Sequence, residues 1–264
     1  MEFLRVVRRR SLLSEVIYIM LNLALAGAVL GALVATGTPW LAIALVLLSK
    51  WRVLAVRPRY WFAHIETNTV DIIVSIGLVI LMYLAGQSGL GGAVAVQSIL
   101  AILYALWLLL LKPRSKRTYV VAQAAVAVVV GTTALIGSSY AWPSSVVVLL
   151  MWVIGYASAR HVLSAYSEKD VRMLSFVWGF IFAEIGWLSY HWTIAYTLPF
   201  AAGLKLPQAT IILLAICFAA ERVYASLQAH DQVRRSDVLL PVLLSLGLIA
   251  VLLLFFNGAA IGTI

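Results

Sequence analysis

Residues Val238 to Phe256 read VLLPVLLSLGLIAVLLLFF, nineteen positions without a charged side chain. A bilayer core about 30 Å thick takes about 20 apolar residues at 1.5 Å each, so this run predicts a membrane-spanning helix. Working outward from it, eight more runs appear: Leu12 to Ala35, Pro39 to Val56, Val70 to Ala85, Ala93 to Leu111, Tyr119 to Ile136, Ser144 to His161, Val171 to Thr197, and Gln208 to Leu227. Two of these are weak. Lys50 and Arg52 enter the second, and the third is only about 16 residues long, near the spanning minimum. A re-entrant segment is the alternative for both.

An isolated span can satisfy its backbone donors in lipid only as a helix. The expected fold class is therefore all-α, a polytopic transmembrane helix bundle of about nine spans. Composition agrees: 64% of residues are hydrophobic and 11% charged, against roughly half and a quarter in soluble domains. No polar stretch has the length of a globular domain, so residues 1–264 are expected to form a single integral membrane domain. The single cysteine, Cys217, excludes an intrachain disulfide and a thiolate-only metal cage.

The formal charge of +9 does not predict nucleic-acid binding, because the basic residues sit between apolar runs instead of forming one folded face. Under a nine-span reading they fall on one side. Arg5 and Arg8 to Arg10 precede the first run; Lys50, Arg52, Arg57 and Arg59 end or follow the second; Lys112, Arg114, Lys116 and Arg117 follow the fourth. Arg160 ends the sixth, Lys169 follows it and Arg172 begins the seventh, and Arg222, Arg234 and Arg235 surround the end of the eighth. That places 18 of the 19 basic residues together, with Lys205 opposite. Cytoplasmic loops collect Lys and Arg, so the amino terminus is expected in the cytoplasm, the carboxyl terminus outside, and the location is the cell membrane. The same residues would attract anionic headgroups. Arg8 to Arg10 before a run containing Ala24, Gly27 and Ala28 also loosely fit a cleaved signal peptide, which would leave eight spans.

The opposite-side connections, Thr36 to Pro39, Gly86 to Gly89, Gly137 to Tyr140 and Pro199 to Pro207, read as turns rich in Gly, Ser and Pro. Trp40, Tyr140, Trp142, Phe255 and Phe256 at one face, with Trp51, Tyr60, Trp61 and Phe62 at the other, resemble interfacial aromatic belts. Gly27, Gly31, Gly155, Ala157, Gly179 and Gly186 are small enough for close helix contacts.

Glu184 is the most informative polar residue, because an acid deep in a bilayer costs about 3 kcal/mol and needs a partner. Glu184, Trp187, Leu188 and His191 share one helical stripe. The functional reading is a protonatable pocket of Glu184, Trp187 and His191 for a proton-coupled step or a polar substrate. The structural reading is a protonated Glu184 hydrogen-bonded to a neighbouring helix. Glu15 and Asn22 form a secondary polar pair seven residues apart on the first run, with Glu15 near Arg8 to Arg10 and Asn22 available for a helix-helix hydrogen bond. His64, His161 and His230 lie on the basic side with Glu66, Asp71, Glu168, Asp170, Asp231 and Asp237. No histidine pair has metal-ligand helical spacing, and no Walker or dinucleotide fingerprint occurs, so neither metal nor cofactor is expected.

Lys50, six residues and then Arg57-Pro58 resemble the first signature of the phosphatidic-acid-phosphatase family, in which Lys and Arg hold a phosphate. The second and third signatures, which supply the nucleophile and general acid, are absent. Gly86-Gln87-Ser88-Gly89 resembles the Gly-x-Ser-Gly of rhomboid proteases, implying Ser88 as nucleophile and His191 as base; the string also reads as a plain turn.

Three functions are compatible with these residues. The leading one is a small transporter-like or permease-like protein with an inward-facing Glu184 and His191 pocket. The second is a non-catalytic membrane subunit or scaffold, packed against a membrane partner or another copy. The third is an interfacial lipid-modifying enzyme using the histidine and carboxylate cluster.

Overall fold

A computed structural model of the chain describes residues 12–51, 55, 57–87, 92–198 and 201–256. Among them are nine α-helices and one two-stranded sheet. The helices are α1 (Leu12–Thr36), α2 (Trp40–Ser49), α3 (Trp61–Gly86), α4 (Ala93–Leu106), α5 (Arg117–Ser138), α6 (Ser144–Ala165), α7 (Val171–His191), α8 (Gln208–His230) and α9 (Arg235–Phe255). Between α7 and α8 runs a hairpin of β1 (Ala195–Leu198) and β2 (Ala201–Pro207). Eight helical segments, all but α2, are long and apolar enough to cross a membrane.

The second apolar run is the exception. Of its expected span from Pro39 to Val56, α2 takes ten residues, about 15 Å and half a bilayer core. A turn with Gly37 in the left-handed region (φ +63°) folds it back on α1. It stops at Lys50, whose ammonium leaves the helix line to pair with Asp71 on α3. The third run is longer than expected, because the polar stretch from Trp61 to Thr69 continues the helix of Val70 to Ala85.

The seventh run is shorter. It was expected to reach Thr197, but α7 ends at His191, and the Pro199 to Pro207 connection is mostly strand instead of a simple turn. Thr193, Ile194, Tyr196 and Thr197 are β-branched or aromatic and favour extended backbone. Across the hairpin, Tyr196 faces Leu206 and Thr197 faces Lys205. Strand β2 packs on α3 and α5, with Ala201 and Leu204 buried in the same core as Val29, Val46 and Met82. The hairpin closes the end of the bundle opposite the basic loops.

The core has two parts. One is built by α1 to α4 with the hairpin, around Val74, Val79, Tyr104 and Leu108; the other lies between α5, α6, α7 and α8, around Met151, Ile154, Phe182 and Leu213. Helices α3 and α5 join them, and Ile73 packs against both parts. Glycine makes the tight seams. A Cβ at Gly155 would stand 2.6 Å from Phe182 Cγ, one at Gly179 2.6 Å from Trp152 Nε1, and one at Gly186 2.6 Å from Met151 Cγ. Gly27 and Gly31, expected at contacts too, face open space on α1.

Candidate functional site

Polar contacts gather at the basic end and tie its loops together. Asp71, buried, pairs with Lys50 and, at 2.8 Å, with Lys112, and accepts a hydrogen bond from Trp107 Nε1 at 3.0 Å. It stands where α3 turns from its polar first half to its apolar second. Trp107 begins a π-helical turn, Trp107–Leu111, that continues α4, and the Lys112 amide closes it on the Trp107 carbonyl at 2.9 Å. Such turns add a residue to a helix and redirect its side chains; here both the indole and the Lys112 ammonium reach one carboxylate. One turn deeper lie the buried hydroxyls of Ser75 and Tyr104, side by side.

A second group joins α3 to α6: Arg160 Nε lies 2.7 Å from Glu66 Oε1, and the Tyr156 hydroxyl donates to the same oxygen. Gln123 on α5 is a third centre. Its Nε2 donates to the carbonyls of Leu111 at 2.7 Å and Arg114 at 2.9 Å, while its Oε1 lies 2.7 Å from His161 Nε2. The Arg117 guanidinium lies 4.2 Å over the Tyr166 ring, and the Tyr166 hydroxyl donates to Glu221 Oε1 at 3.0 Å. Burial, then that hydrogen bond, push the Tyr166 phenol up to about 12. Glu168 accepts from Tyr224, Lys169 N and Asp170 N, and these bonds, Tyr224's first, hold its carboxyl below its usual pKa.

The residues singled out in the sequence lie elsewhere. Glu184, Trp187, Leu188 and His191 do share one stripe of α7, but it faces away from the bundle and all four are exposed. Trp187 and His191 meet edge to face at 4.7 Å. Glu184 has no hydrogen bond or ion pair among the described residues, and its neighbours on that face, Val177 and Phe180, are exposed apolar side chains. Among the described residues, these side chains do not line an inward-facing pocket.

No family model, curated protein or solved structure matches the chain.

Glu15 is exposed, and Arg8 to Arg10 lie outside the described residues. Asn22 Nδ2 donates to the carbonyl of Tyr18 in its own helix at 2.8 Å, not across to another helix as expected. Ser88 and Gly89, the rhomboid-like positions, lie outside the described residues, as does Arg52. The three histidines of the basic end have separate partners: His161 bonds Gln123, His230 lies 3.4 Å from Asp237, and the His64 carbonyl accepts from Asn68. Nothing among these contacts brings them into one pocket. Among the described residues no group of His, Cys, Asp or Glu has the arrangement of a metal site.

Sequence reasoning grouped Asp71 with the surface acids and missed its role. The signal was present: Asp71 is the second residue of an apolar run, with Ser75 one turn further on the same face.

Proposed function

We propose that this chain is a non-catalytic subunit of an assembly in the cell membrane, and that the half of α7 around Glu184 is the face it presents to a partner. The observation that carries the proposal is the outward orientation of Glu184 without a partner. In a membrane-crossing helix such a carboxyl costs about 3 kcal/mol against lipid, and covering it with a helix that offers a hydrogen-bond donor removes that cost. A second copy packed on a two-fold axis through this face would bring Glu184 against Glu184. The occupant is therefore a different transmembrane polypeptide with a donor side chain at the depth of Glu184.

In this reading the basic end lies in the cytoplasm, by the distribution of Lys and Arg. The chain crosses nine times, with α2 belonging to the crossing between α1 and α3, and the carboxyl terminus lies outside. A transporter-like function remains open in one form: the pocket of Glu184, Trp187 and His191 takes its missing wall from the partner.

The test is photocrosslinking in native membranes, with the crosslinker at Leu188 on the stripe or at Val251, exposed on α9. We expect a discrete adduct from Leu188 that disappears in Glu184→Leu, and none from Val251. If Leu188 gives no more adduct than Val251 and Glu184→Leu raises the thermal stability of the purified chain, Glu184 faces lipid and the proposal fails.

A further inference from the structure

Between the end of α6 and the start of α7 lies an open cleft of about 450 Å³, lined by Arg160, Ser164, Lys169, Asp170, Arg172 and neighbouring apolar residues. The turn that shapes it is held firmly. Ser167 takes the left-handed conformation (φ 57°), the Glu168 amide reaches back to the Leu163 carbonyl at 3.3 Å, and the Glu168 side chain is bound by Tyr224 and Gln228 of α8. Glu168 also takes up the amides of Lys169 and Asp170. Its carboxylate is thereby already engaged by four donors, Tyr224, Gln228 and the two amides.

What faces the cleft is cationic. No ion pair or hydrogen bond occupies the side chains of Ser164, Lys169 or Arg172 among the described residues, and Arg160 is engaged only through Nε, by Glu66, leaving its terminal nitrogens free to donate. The α7 N-terminus has no side-chain cap, and Val171, Arg172 and Met173 of its first turn line the same cleft. Unsatisfied amides at a helix N-terminus favour an anion. Three cations, one of them (Arg160) paired with Glu66, a hydroxyl and an open helix start surround one volume, and Asp170 adds one carboxylate.

We infer that this cleft binds the headgroup of an anionic phospholipid, its phosphate held by Arg160, Lys169, Arg172 and the α7 amides, with Asp170 accepting from a headgroup hydroxyl. Two features favour a lipid over free phosphate. Asp170 would repel a bare phosphate but suits a glycerol hydroxyl. Below Arg172, the exposed Met173, Leu174 and Phe176 offer an apolar track for acyl chains. The inference is independent of what covers Glu184.

The test reconstitutes the full chain in nanodiscs of phosphatidylcholine with or without phosphatidylglycerol and counts retained lipid by native mass spectrometry. One cation near an anionic lipid is worth a factor of about five, so the double variant Lys169→Gln, Arg172→Gln should lose about 25-fold of the preference for phosphatidylglycerol. Arg234→Gln with Arg235→Gln, which removes the same charge elsewhere, should change it less than about twofold. Equal losses in the two double variants would mean diffuse surface attraction and overturn the site. A third arm adds inorganic phosphate to phosphatidylcholine discs: stabilisation of the wild type by phosphate, without any preference for phosphatidylglycerol, would assign the cleft to a soluble anion and overturn the lipid.

Discussion

Trp107 Nε1 donates to Asp71 Oδ1 across 3.0 Å, and the π turn that starts at Trp107 also brings Lys112 Nζ to within 2.8 Å of the other oxygen. With Lys50 completing the group, one carboxylate fastens the end of α2, the middle of α3 and the end of α4.

Asp71→Asn should therefore be among the most destabilising conservative changes in the chain. It leaves the Lys50 ammonium buried without its counter-charge, and breaking a buried pair in this way costs about 3–5 kcal/mol. Lys112→Gln, whose side chain is 35% exposed, should cost no more than about 1 kcal/mol. Reversible unfolding in mixed micelles measures both; equal effects would show that Lys50 draws little from Asp71.

Gly155→Ala and Gly27→Ala should separate cleanly. At Gly155 the added methyl meets the ring and Cβ of Phe182, itself fully buried, at 2.6 and 2.7 Å. Overpacking of this kind costs about 1–3 kcal/mol. At Gly27 nothing lies within 4 Å, so the purified chain should keep its thermal stability there, as read by loss of helical circular dichroism.

Leu204→Ala tests the hairpin. Its side chain is 7% exposed in the core formed with α3 and α4, and truncation should cost about 2 kcal/mol. Lys205→Ala, on the next residue and half-buried, should cost clearly less. If the two behaved alike in a denaturation series, β2 would not be seated in the bundle.

The long helices were legible because a charge-free run of bilayer length has one stable solution in lipid. The basic loops read as one end because antiparallel neighbours return every second connection to the same side, and Arg160 of α6 meets Glu66 of α3 while Arg117 of α5 meets Tyr166. Periodicity also placed Glu184, Trp187 and His191 on one stripe. It could not say which way that stripe faces, since nearly every face of α7 is apolar and lipid-facing and core-facing sides look alike.

Composition and periodicity by themselves determined that this chain is a bundle of apolar helices, and led to the expectation that all its cations but Lys205 gather at one end, because those properties depend only on hydrophobic length and loop position. Tertiary structure alone decided that α2 stops at ten residues, that the strand after α7 enters the core, and that Asp71 is a buried centre while Glu184 points outward. Each of those outcomes depends on which neighbour stands opposite a side chain, and helical spacing fixes an angle around one axis without fixing what lies beyond it.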